Sequence, residues 1–222
     1  MEVRAINTVV ERDIQEIISD SQIFDAFRGK LILVTGATGL IGSMVARSLI
    51  AANDAYHLSL RVICHVRNIE KAHHMFSDIV DSDILTFVDT PLESLDIACD
   101  YIMHGAGPTK SKYFVEHPVD TIRTSIHGTE RMLELGKEQK IKGMVYLSSM
   151  EQYGVPYESG QVMTEDRIGY LDHLNVRSSY SESKRLCECY CKSYAVEFGV
   201  PVKIARLAQT FGAGVSLDDN RV

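Results

Sequence analysis

Apolar residues alternate along this chain between two spacings. An unbroken apolar run at 31–34, and largely apolar stretches at 60–66, 84–88, 101–104, 144–147 and 201–207, read as strands of a parallel sheet. Between them, apolar residues recur every three or four positions. Ile41, Met44, Val45, Leu49 and Ile50 form one such set, and 71–80 a shorter one. Val119, Ile122, Ile126, Met132 and Leu135 form a third over 118–139, and 181–198 gives a fourth. These spacings predict helices. Strand alternating with helix, without repeats or low-complexity tracts, predicts an α/β fold with a doubly wound parallel sheet of Rossmann type. Ahead of the first strand, Val10, Ile14, Ile17, Ile18 and Phe24 predict a helical extension over residues 1–28, with a structural role. Residues 29–222 then form the nucleotide-binding domain.

The stretch 31–47, LILVTGATGLIGSMVAR, runs from strand through glycine turn to helix. Gly36 permits the tight turn, Gly39 lets backbone approach a pyrophosphate, and Gly42 lets the helix sit close on the strand. The N–H groups at the helix start then face the phosphates. Gly36, Thr38, Gly39, Leu40, Ile41 and Gly42 are the candidate phosphate cradle. The spacing is G-x-x-G-x-x-G, whereas most dehydrogenases have G-x-G-x-x-G. Arg67 directly follows the second strand, where an acidic residue reads adenosine ribose hydroxyls and an arginine suits a 2′-phosphate. Arg67 therefore tilts the cofactor toward NADP. Asp89 follows the third strand, and Gly105, Ala106 and Gly107 follow the fourth. Small residues there let a ligand lie against backbone.

Length and composition narrow the function. A chain of 222 residues holds one good core, with at most a small second lobe. Its net charge of −7 argues against nonspecific nucleic-acid binding. No apolar run approaches the ~20 residues of a membrane span. The N-terminus lacks a basic start and an apolar core, so no signal peptide is expected. Five unpatterned cysteines suit a reducing cytoplasm. Cys187 and Cys191 share a helix face with no histidine nearby, which favours packing over metal binding; no metal site is expected.

Tyr180 and Lys184 sit four apart on one face of a predicted helix. A free phenol, with a pKa near ~10, is a poor base at neutral pH. A nearby ammonium and a cationic nicotinamide ring both favour the phenolate. Tyr180 could then take a proton from a sugar or alcohol hydroxyl as hydride leaves the same carbon. Lys184 could also reach the cofactor ribose, and Ser149, at the end of the fifth strand, could hydrogen-bond the reacting oxygen. The loop 151–179 is long enough to suggest function.

Together these residues resemble the extended short-chain dehydrogenase/reductase family, in its NAD-dependent epimerase/dehydratase branch acting on nucleotide sugars. The matching pieces are TGATGLIG at 35–42, HPVDTIRTSIHGTERMLEL at 117–135, YLSSMEQYG at 146–154, YSESKR at 180–185 and ARLAQTFG at 205–212. Within the branch the nearest resemblance is to the UDP-glucuronate decarboxylases. The resemblance implies NAD as the first expectation for the cofactor, with NADP as the Arg67 alternative. It implies a nucleotide-sugar substrate and oxidation at the sugar C4 hydroxyl to a 4-keto intermediate, followed by a second step. By position Ser149 matches the catalytic Ser/Thr, Tyr180 the base, Lys184 the lysine, and Glu151 a glutamate of decarboxylases and 4,6-dehydratases. It also implies a cytoplasmic homodimer built through helices 118–139 and 181–198, with no nucleic-acid or membrane partner.

The departures carry information too. Met150 replaces the aspartate that protonates the leaving hydroxyl in 4,6-dehydratases; a thioether cannot donate a proton, which disfavours that reaction. Ser125 and Gln209 each replace an asparagine. Phe87 falls near the adenine-reading aspartate, with Asp89 as the substitute. Family members continue into a substrate lobe that is largely absent from this chain. The alternatives are an NADP-dependent carbonyl reductase and a nonenzymatic NADP-binding sensor or scaffold.

Overall fold

The computed structural model describes residues 7–79, 83–158, 160 and 162–213. They fall into two compact units, one running to Gly105 and resuming at Thr210, the other spanning Ala106 to Gln209.

In the first unit four strands pair in parallel: β1 (Leu31–Thr35), β2 (Arg61–His65), β3 (Leu85–Val88) and β4 (Tyr101–His104). Their order is β3-β2-β1-β4, with Val34 opposite both Cys64 and Met103. This is the arrangement of a Rossmann-type half-sheet, whose chain enters at the centre and winds outward. Flanked on both edges, β1 buries Ile32, Leu33, Val34 and Thr35, which is why its sequence is a continuous apolar run. Helix α3 (Leu40–Tyr56) follows the glycine turn and packs on β1 and β2.

The predicted helical extension is built from more than one helix. It divides into α1 (Thr8–Ile17), α2 (Ser21–Phe24) and a 3-10 turn at Asp25–Phe27. The break falls where the Asp20 side chain caps a new helix by accepting from the Gln22 amide at 3.0 Å. Both helices pack on α3, with Ile14, Ile18 and Phe24 buried. The Tyr56 hydroxyl donates to the Ile18 carbonyl. Residues 1–6 of the predicted extension lie outside the described residues. The helix predicted over 71–80 is α4 (Ile69–Met75), started early by Asn68, whose side chain accepts from the Lys71 amide at 2.7 Å. Val80, its predicted end, lies outside the described residues.

In the second unit β5 (Gly143–Ser149) pairs in parallel with β6 (Val202–Leu207). Helices α5 (Ser111–Glu116), α6 (Pro118–Gln139) and α7 (Ser178–Glu197) complete it. Proline at the first position of α6 costs no helical hydrogen bond. Helix α7 begins three residues earlier than its apolar spacing predicts. Small residues let α6 and α7 pack closely, and the Cys187 thiol donates to the Ser125 carbonyl at 3.3 Å. Cys187 and Cys191 are buried packing residues, as their sequence environment suggests.

Candidate active site

The first unit carries the glycine turn. Gly36 has φ +73°, a left-handed conformation that favours glycine, and its carbonyl accepts from the Gly39 amide at 2.9 Å. A Cβ on Gly42 would lie 2.3 Å from that same carbonyl oxygen, so only glycine lets α3 begin this close to the turn. Gly39 caps α3 without a side chain, which leaves the first-turn N–H groups of a 17-residue helix aimed past an exposed glycine. Leu40 and Ile41 begin that turn, and Thr38 precedes it. The ends of β1 and β4 are tied together here. The Thr35 hydroxyl lies 2.7 Å from His104 Nδ1 and accepts from the Gly105 amide at 3.2 Å. This link is not legible in the sequence, because its members are about 70 residues apart.

A cleft of about 870 Å³ opens beside the turn, lined in part by Thr38, Gly39, Ser43, Arg47, Lys71 and His74. The Arg47 guanidinium is neutralised within it, pairing with Asp78 at 2.5 and 2.8 Å. Arg67 is exposed and does not line the cleft, although its neighbour Asn68 does. Asp89 is also exposed, at the end of β3.

The second unit carries the candidate proton-transfer groups. Ser149 ends β5, where its hydroxyl accepts from the Glu151 amide at 3.2 Å and caps the 3-10 turn Met150–Tyr153. Glu151 is held from two sides. Arg177 Nη2 lies 3.0 Å from one carboxylate oxygen and 2.9 Å from the other, and the Ser181 hydroxyl donates at 3.2 Å. Met150 is exposed and brings no ionisable group. Ala106 and Gly107 open this unit half-buried, and a Cβ on Gly107 would meet only open space.

Tyr180 lies in the first turn of α7, its ring stacked on that of Phe114. One turn on, Lys184 is buried. Its ammonium donates to the Leu147 carbonyl at 2.7 Å, and sits 4.7 Å from the Tyr146 ring centre and 5.7 Å from that of Tyr180. Burial pulls the Lys184 pKa down to about 8, partly opposed by negative potential from Cys187, Cys191 and Glu188. The ammonium therefore still predominates at neutral pH. Burial also pushes the Tyr146 phenol far up, so that tyrosine stays neutral beneath the lysine.

Two arginines fix the segment after Ser149. Arg185 donates to the carbonyls of Gln152, Tyr153 and Gly169 at 2.6, 3.1 and 2.8 Å. Arg206 donates to the Glu165 carbonyl at 2.7 Å. Arg206 is itself clamped by buried Glu188, which also accepts from Ser148 at 2.5 Å. Val155 and Tyr170 bridge antiparallel between these anchors.

The profile of the NAD dependent epimerase/dehydratase family matches residues 32–222. UDP-glucuronic acid decarboxylase 1 of Danio rerio is 31% identical over 198 residues, covering 87% of this chain and 44% of that protein. UDP-glucuronic acid decarboxylase 6 of Arabidopsis thaliana is 32% identical over 195 residues, covering 86% and 54%. The chain spans about half the length of these curated relatives. Among solved structures, UDP-glucuronic acid 4-epimerase from Bacillus cereus in complex with NAD shares the fold, with a TM-score of 0.65 and 24% identity over 82% of this chain and 57% of that one. The UDP-glucose 4-epimerase of Thermus thermophilus in complex with NAD gives 0.68 and 20%, over 86% and 59%.

Proposed function

The chain belongs to the NAD dependent epimerase/dehydratase family, and from that membership we propose that it binds NAD and acts on a nucleotide sugar through a 4-keto intermediate. The second step that fits best is decarboxylation or epimerisation of a UDP-linked uronic acid. The observation that carries this reading is the pairing of Tyr180 with a buried, still protonated Lys184 one helical turn away.

The glycine turn fits a dinucleotide. A Cβ is excluded at Gly42, and the helix start beside Gly39 has no capping side chain to compete for an anion. Thr38, Gly39, Leu40, Ile41 and Gly42 would hold the pyrophosphate through backbone. When bound, NAD supplies the acceptor for the hydride that leaves C4. Tyr180 takes the C4 hydroxyl proton onto its phenolate oxygen, and Lys184 favours that phenolate by its charge. The Ser149 hydroxyl donates to the C4 oxygen as its carbonyl character grows. Glu151 serves the second step at C5 or C6. NAD is preferred over NADP, because Arg67 is exposed outside the cleft beside the turn.

We also propose a cytoplasmic homodimer. The cysteines are free thiols, which suits a reducing compartment. Among the described residues no helix is long and apolar enough to cross a membrane. The α6 and α7 helices expose Val119, Ile122 and Leu186, an apolar face suited to a second copy. Leu133, on the same helix, is fully buried and belongs to the core.

The test is single-turnover absorbance at the NADH band with NAD and UDP-glucuronate. The wild type should reduce NAD, and Tyr180→Phe should bind NAD normally but reduce it far more slowly. Equal rates in the two proteins would overturn the reading.

A further inference from the structure

We infer that Arg177 is a positioning residue that locks Glu151 and Tyr180 into one assembly. It stands at the start of α7, three residues before Tyr180 and 26 after Glu151. Its guanidinium meets Glu151 and Phe114, and Nη2 also lies 3.5 Å from the Ser111 hydroxyl. One nitrogen, Nη2, contacts both oxygens of the Glu151 carboxylate. The guanidinium carbon lies 5.0 Å from the centre of the Phe114 ring, the same ring on which Tyr180 is stacked. Glu151 thus holds the guanidinium, the guanidinium packs on Phe114, and Phe114 fixes the plane of the Tyr180 ring.

Neighbouring contacts hold the assembly in register. The Ser181 hydroxyl, next to Tyr180, donates to the Glu151 carboxylate. The Ser179 hydroxyl donates to the Phe114 carbonyl at 3.3 Å. The Arg177 amide donates to the Asn175 side chain at 2.9 Å, which fixes where the arginine leaves the backbone. The α7 start therefore contributes one proton-transfer candidate, Tyr180, and two side chains that grip the other, Glu151. Beside the Ser181 contact, Arg177 gives the carboxylate on the 3-10 turn a second tie to the start of the helix, one that runs through Phe114 to the phenol ring. The arginine side chain is about one-third exposed (36%), so a core-filling role does not account for it.

The inference rests on the reading that Tyr180 and Glu151 serve one reaction, but its test needs neither cofactor nor substrate. The ten tyrosines are replaced by 3-fluorotyrosine, and the fluorine line of Tyr180 is identified by its loss in Tyr180→Phe. Arg177→Met and Glu151→Gln should each displace that line by more than its width, with the melting temperature little changed. The double variant should displace it no further than either single one, because both break the same connection. Arg177→Lys should displace the line less than Arg177→Met, since an ammonium can still meet Glu151 but lacks the planar face that packs on Phe114. A Tyr180 line unmoved in Arg177→Met, additive displacements in the double variant, or a lysine variant as displaced as the methionine one would each overturn the inference. If Arg177→Met does not fold, Glu151→Gln carries the test by itself. A chain that passes but cannot reduce NAD would unseat the proposed reaction and leave the positioning role standing.

Discussion

The ring of Tyr180 lies flat on that of Phe114, with 4.2 Å between ring centres and 3° between planes. A stacked ring cannot tilt or swing away from its partner without losing the contact, so the phenol oxygen has a fixed direction. Such a pair contributes about 0.5–1.5 kcal/mol beyond its buried area. Phe114→Leu, which also gives up buried area, should therefore lower unfolding stability by at least that amount and slow proton transfer without weakening NAD affinity. Denaturant unfolding and calorimetry check the two halves. A leucine variant as fast as the wild type would show that the stack does no orienting.

Lys184 gives a pH signature. Its folded pKa of about 8 lies below the ordinary lysine value of 10.5. Below pH 8 both folded and unfolded states hold the proton, and the folded state bears the cost of a buried cation. Between about 8 and 10.5 the folded state has shed the proton while the unfolded state keeps it, so this group makes stability rise with pH. Relative to Lys184→Met, the wild type should thus gain melting temperature on going from about pH 7 to about 9.5. Its hydride step should fall over the same range as the ammonium beside Tyr180 is lost. A gap between the two proteins that stays constant with pH would refute the assignment.

The two glycines of the turn should respond differently to alanine. At Gly42 the new Cβ would meet main-chain oxygen at 2.3 Å, which must move; at Gly39 the contact is 3.2 Å. Gly42→Ala should cost about 1–3 kcal/mol of stability as overpacking does and weaken NAD binding at least tenfold. Gly39→Ala should cost less, since its Cβ asks the same oxygen to give by only a few tenths of an ångström. Thermal melts and NAD titration of both variants settle the order, and the reverse order would contradict the cradle geometry.

The assembly state is testable by light scattering. Ile122→Asp or Leu186→Glu should turn a dimer into a monomer while leaving circular dichroism unchanged, because both side chains are exposed in the single chain. A wild-type monomer at micromolar concentration would exclude this interface.

What the sequence reveals and what it hides divide by contact distance along the chain. β1 is readable because both its neighbours bury it, and that demands an apolar run. The glycine turn is readable because backbone geometry restricts residue type directly. Tyr180 and Lys184 are readable because one helical turn joins them. Phe114 is not: α5 spans six residues, SKYFVE, too few to show a period. The Arg177–Glu151 pair is hidden as well, since nothing local ties an arginine before a helix to a glutamate 26 residues earlier. Leu133 turns inward, a choice set by packing against the rest of its unit and not by α6 alone. The break in the extension is hidden because the apolar period runs through Asp20, where a capping side chain starts the helix anew.

The arginine anchors after Ser149 grip carbonyl oxygens. Arg185 and Arg206 between them hold the carbonyls of Gln152, Tyr153, Glu165 and Gly169, and Arg206 also lies over the Tyr153 ring at 4.9 Å. Every residue type offers that same oxygen, so away from Tyr153 the anchors impose a path on the segment but almost no vocabulary. Tyr157, Val162 and Leu174 lie within or just beyond it, with more than three-quarters of each exposed, and can be exchanged without loosening a hold. Selection could thus rewrite these exposed positions freely while the candidate residues at either end stay where they are.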